Sequence, residues 1–179
     1  RDLHLSLRRQ RQMCIRDSNK IKFSDDELIL VLDRPEKPGN IGAILRTYNA
    51  LGFKNIIITD TKTEIYNPNI IRSSLGAIFY LNVFQLDTKK TITFLKENNF
   101  NIYGSLLKSK TLVNDIDFRN KCAVLMGTES SQINDIFLKN SDSTFKIPMI
   151  GNVDSLNLSV STAIILYQAM IQKKSINFM

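Results

Sequence analysis

Five polar residues of this 179-residue sequence fall into three short segments separated by long apolar stretches: Asn40 with Arg46, then Glu129, then Ser155 with Asn157. Glycine or proline accompanies each, in Pro38-Gly39-Asn40-Ile41-Gly42, in Gly127-Thr128-Glu129, and in Ile147-Pro148-Met149-Ile150-Gly151. The set holds one guanidinium and one carboxylate and is otherwise uncharged. No Ser-His-acid arrangement exists once His4, the single histidine, is set aside as part of an odd N-terminal tail. Neither the three-glycine dinucleotide fingerprint nor a phosphate loop ending in Gly-Lys-Ser/Thr is present. Nicotinamide enzymes, common NTPases and common hydrolases are thereby disfavoured. Such residues suit positioning an electrophile that arrives already activated, and a methylsulfonium cofactor is one.

These segments need a scaffold that brings them together. From Ser24 onward, short β-rich apolar runs alternate with longer amphipathic stretches, the pattern of helices covering both faces of a mostly parallel sheet. The expected fold class is α/β. Strands are expected at residues 28–32, 55–59, 81–84, 100–105, 122–126 and 144–147. Helices are expected at residues 40–51, stopped by Gly52, at a short start on Asn67-Pro68, and at residues 88–98, 133–138 and 156–174. Of seven glycines, Gly39, Gly42, Gly127 and Gly151 fall at strand ends or in the loops that follow. Open α/β sheets bind ligands beyond the carboxyl ends of their strands, so those loops are the expected site.

Composition narrows the partners. The formal charge is +7, which favours a polyanion such as nucleic acid. The first 18 residues carry five arginines against two aspartates, so +3 of that charge belongs to the tail and +4 to the remainder. No apolar run approaches the roughly 18 to 20 residues of a bilayer span, which predicts a soluble chain with no membrane partner. Cys14 and Cys122 lack metal-ligand spacing; neither a metal site nor a disulfide framework is expected, and a reduced cytoplasm fits.

The stretch from Leu30 to Thr47, LVLDRPEKPGNIGAILRT, resembles the first motif of the SpoU/TrmH family of RNA ribose 2′-O-methyltransferases. Leu125-Met126-Gly127-Thr128-Glu129 resembles the second motif. Ile147-Pro148-Met149-Ile150-Gly151, with Ser155-Leu156-Asn157-Leu158-Ser159-Val160-Ser161, resembles the third. All three occur in family order. The resemblance implies a SPOUT architecture with a C-terminal trefoil knot, S-adenosylmethionine as cofactor, tRNA or rRNA as substrate, and a homodimer. It makes Arg46, Asn40, Glu129, Ser155 and Asn157 the catalytic set, and places Leu125, Gly127, Ile147, Met149 and Leu156 around the cofactor. On this reading residues 1–18 are a non-native or disordered tail and residues 19–179 the catalytic domain. Many relatives carry an RNA-binding extension ahead of that domain, whereas only the tail precedes Ser24, so weak RNA affinity is expected. Gln132 stands where the family usually has glycine, and would strain a positive-φ loop.

Each residue also has a plainer reading. Asn40 could cap a helix, Arg46 could be a surface arginine, Glu129 could answer a helix dipole, and Ser155 or Asn157 could cap the last helix. Ser159 and Ser161 fit close helix packing and stay outside the catalytic set. The family view makes the arginine a base. A guanidinium keeps its proton at ordinary pH, so holding phosphate and stabilising a developing alkoxide suit it better. Two other functions compete: an RNA-binding module that keeps the fold without turnover, and a small-molecule α/β enzyme.

Overall fold

The computed structural model describes residues 23–128 and 133–174; the tail, Glu129 and Gln132 lie outside these residues. In chain order the elements are β1 (Leu28–Asp33), α1 (Pro38–Ala50), β2 (Asn55–Thr59), α2 (Pro68–Ser73), β3 (Asn82–Leu86) and α3 (Thr88–Glu97). There follow β4 (Asn101–Ser105), β5 (Cys122–Met126), α4 (Asp135–Lys139), β6 (Ser143–Phe145) and α5 (Leu158–Lys174). Short 3-10 turns at Ala77–Tyr80 and Val113–Asp115 were not expected from sequence.

The six strands form one sheet in the order β3-β2-β1-β5-β4-β6, and every described pairing is parallel. β1 sits at the centre, and all six of its residues are buried. Its alternating side chains explain why: Leu28, Leu30 and Leu32 face one core with Ile41, Ile44 and Leu45 of α1 and Ile165 and Leu166 of α5. Ile29 and Val31 face a second core with Ile92 and Leu95 of α3 and Phe137 of α4. A strand covered on both faces reads as a continuous apolar run, which is how β1, β2 and β5 appear in the sequence.

Two local readings are corrected. Asn40 is not the cap of α1, because the helix begins at Pro38 and Lys37 takes the cap position without a side-chain hydrogen bond. Proline's fixed φ suits the first helical turn, where its missing N–H costs nothing. Gly39 and Gly42 consequently lie inside α1 and not in a loop. At Gly42 a Cβ would stand 1.9 Å from Ser73 Oγ and 2.8 Å from the Ile70 carbonyl oxygen of α2, so glycine here serves close helix contact. Gly52 does stop α1, at φ 84°, while Phe53 N donates to Tyr48 O at 3.1 Å.

Candidate functional site

β1 and β5 run side by side, with Leu32 paired to Met126. The chain leaves them in opposite directions, from β1 through α1 to β2, and from β5 through α4 to β6 on the far edge. That reversal is the place where open α/β sheets bind ligands. A cavity of about 240 Å³ lies there. Ser105, Leu106 and Leu107 close it from the end of β4, and Met126, Gly127 and Thr128 from the end of β5. Ile133 forms another wall, and Ser155, Leu156, Leu158 and Ser161 complete it from the entrance and first turns of α5.

The segment before α5 is ordered by one side chain. Asn157 Oδ1 accepts from Ser159 N at 2.9 Å and from Ser159 Oγ at 2.7 Å, which caps the helix. Its Nδ2 donates to Asn40 Oδ1 at 3.2 Å, across 117 residues of sequence. Asn157 thus caps α5 and at the same time reaches the segment that holds Asn40. The helix begins at Leu158, two residues later than expected, so Ser155 and Leu156 belong to the loop and face the cavity.

The other selected residues are placed as follows. Arg46 is exposed on α1 and makes no hydrogen bond or ion pair among the described residues. Six residues at roughly 100° each put its side chain about 120° around the helix from Asn40. Leu125 is buried in β5 and belongs to the second core. Ile147 follows β6, packs half-buried on the first core, and is not among the residues that wall this cavity. Met149 is half-buried and is likewise absent from its lining. Ser161, set aside on sequence, does line it, as do Ser105, Leu106 and Leu107. The signal for the latter three was available, since they sit at the carboxyl end of an expected strand. Cys122 is buried in β5, and burial pushes its thiol up to about 11, which leaves a poor nucleophile.

A second cleft of about 700 Å³ lies over β2, β3 and α3, with Asp60, Asp87, Lys89, Lys90 and Glu97 among its walls, and holds none of the selected residues. Among the described residues no group of three or more His, Cys, Asp or Glu could hold a metal ion.

The sequence model of the SpoU rRNA Methylase family matches residues 27–167. An uncharacterized tRNA/rRNA methyltransferase of Borreliella burgdorferi is 34% identical over 149 residues, covering 82% of this chain and 65% of that protein. The 23S rRNA (guanosine(2553)-2′-O)-methyltransferase RlmP of Bacillus subtilis is 26% identical, over 82% of this chain and 59% of its own length. The chain thus spans about three fifths of these curated relatives. Among solved structures, the SpoU methyltransferase AviRb of Streptomyces viridochromogenes, in complex with the cofactor AdoMet, superposes with a TM-score of 0.82 at 29% identity. That match covers 88% of this chain and 64% of AviRb. The family model spans all six strands of the sheet and the first turns of α5, and the chain belongs to the SpoU rRNA methylase family.

Proposed function

We propose that this chain transfers a methyl group from S-adenosylmethionine to a ribose 2′-hydroxyl of tRNA or rRNA. The observation that carries this reading is the Asn40–Asn157 hydrogen bond, which joins the first and third polar segments beside the cavity at the β1/β5 switch point. Family membership and the 2′-O specificity of RlmP support it.

The cavity fits the cofactor chemically. Its apolar walls, Leu106, Met126, Ile133 and Leu156, suit the flat body of a nucleoside, while Ser105, Thr128, Ser155 and Ser161 offer hydroxyls and Gly127 offers backbone without a side chain in the way. Gly127 and Leu156 would hold it, with Leu125, Ile147 and Met149 acting from behind the walls. When bound, it supplies an activated methyl group to the attacking oxygen. Asn40, Ser155 and Asn157 position the nucleotide, and Glu129 belongs to the same set. Arg46 holds the phosphate next to the reacting ribose and offsets negative charge on its oxygen as the proton leaves to water. Alignment of the reacting atoms supplies much of the acceleration.

A homodimer belongs to the same reading. Val160, Ile164 and Tyr167 of α5 are 47%, 40% and 49% exposed at helical spacing, an apolar stripe of the kind that protein contacts cover. A C-terminal trefoil knot is also proposed, supported by the approach of the segment before α5 to loops after β4 and β5 in one cavity. A cytoplasmic location accords with an RNA substrate; no helix among the described residues is long and apolar enough to cross a membrane.

Incubation with methyl-labelled cofactor and separated tRNA and rRNA tests the proposal. Label should enter one RNA class as an alkali-resistant linkage, and Arg46→Lys should lose roughly 100-fold in turnover. Absence of label from both classes would overturn the activity, and retention of most turnover by the lysine variant would remove the requirement for a planar guanidinium.

A further inference from the structure

Asp33 is the only buried acidic side chain among the described residues, at 1% exposure, and the site described above gives it no task. A carboxylate in such a place persists only when its oxygens are answered by donors. Three are present. Thr59 Oγ1 donates to Oδ1 at 3.1 Å, Arg34 Nη2 donates to Oδ2 at 3.2 Å, and the backbone N–H of Asn134 donates to Oδ2 at 2.8 Å. The first two come from the neighbouring strand and from the next residue. The third reaches across 101 residues to the point where the chain enters α4.

That third bond acts on the cavity. Asn134 caps α4, its side chain accepting from Ile136 N at 2.9 Å, and the residue before it, Ile133, is a buried wall of the cavity. On the other side, Gly127 follows Met126, whose partner in the ladder is Leu32. Two consecutive residues of β1 therefore hold both sides of the cavity's β5–α4 rim, Leu32 through the sheet and Asp33 through its carboxylate.

We infer that Asp33 is a positioning residue for the cofactor cavity: by holding the Asn134 amide it fixes the Ile133 wall and sets the affinity for S-adenosylmethionine. This inference rests on the function proposed above. Asp33→Asn keeps the shape of the side chain and removes the charge that gathers the three donors. Thr59→Val removes a different donor to the same carboxylate and leaves the Asn134 bond in place. Calorimetric titration with S-adenosylmethionine should show affinity weakened at least about tenfold in D33N and within about twofold of the parent in T59V. Both should melt at lower temperature than the parent. Without any ligand, hydrogen exchange at the Asn134 amide should quicken at least about tenfold in D33N relative to the amides of β2. Parent-like cofactor affinity in D33N, or an equal loss in T59V, would overturn the inference while leaving the proposed activity standing. Failure of the parent chain to bind the cofactor would overturn both.

Discussion

At the scale of single residues, the site turns on an asparagine pair with unequal duties. Asn157 caps α5 and also donates to Asn40, whereas Asn40 lies inside the first turn of α1 and is not the cap of that helix. The two alanine variants should therefore differ in stability and agree in activity. Asn157→Ala should lose about 1 kcal/mol of folding free energy, the usual worth of a helix cap, and Asn40→Ala only a few tenths. Each should lower turnover, and the double variant should lose less than the sum of the two, because one hydrogen bond is removed in all three. Urea denaturation and initial rates on the same RNA read the two effects separately. Strict additivity of the rates would mean the pair does not act as a unit.

Among the elements, the contact between α1 and α2 is the most tightly specified. Gly42 leaves no room for a methyl group against Ser73 and Ile70, and Ser73 Oγ also lies 3.4 Å from Pro38 O. Gly42→Ala should destabilise the chain by about 1–3 kcal/mol through overpacking, and circular dichroism melts would register it. A neutral substitution there would show that α2 moves as a whole, since rotating Ser73 leaves the Ile70 carbonyl oxygen too close. Much of this level could be read from sequence. β2 and β5 have the bounds their apolar runs suggested, and Asn67-Pro68 does open α2 with Asn67 accepting from Asn69 N. What could not be read depends on partners distant in the chain. The packing duty of Gly42 is invisible without α2, whereas the share of Ser105 to Leu107 in the cavity could have been inferred from their place at the carboxyl end of an expected strand. Asn40 is a different case, since Pro38 was already a better marker of the helix start than the asparagine two residues on. Ile147, expected beside the cofactor through its backbone, follows a three-residue edge strand and packs its side chain on the first core.

At the scale of the whole molecule, the proposed homodimer can be tested on the exposed stripe of α5. Ile164 lies in the middle of that stripe, with Ile165 and Leu166 behind it in the core. Ile164→Glu should shift sedimentation from dimer to monomer while leaving the fold intact, because a charge at an exposed position costs little in the monomer and is expensive in an apolar contact. An unchanged sedimentation coefficient for a dimeric parent would place the contact elsewhere.

The cavity draws its walls from residues 105–107, 126–128, 133, 155, 156, 158 and 161. During synthesis, a nascent chain that stops short of β6 and α5 would carry the other five strands but only part of this pocket, and domains acquire such long-range contacts late because closing large loops is entropically costly. If the proposed function holds, such chains would neither grip the methyl donor nor compete for it, and ligand-linked stabilisation would favour only those in which α5 has joined the sheet.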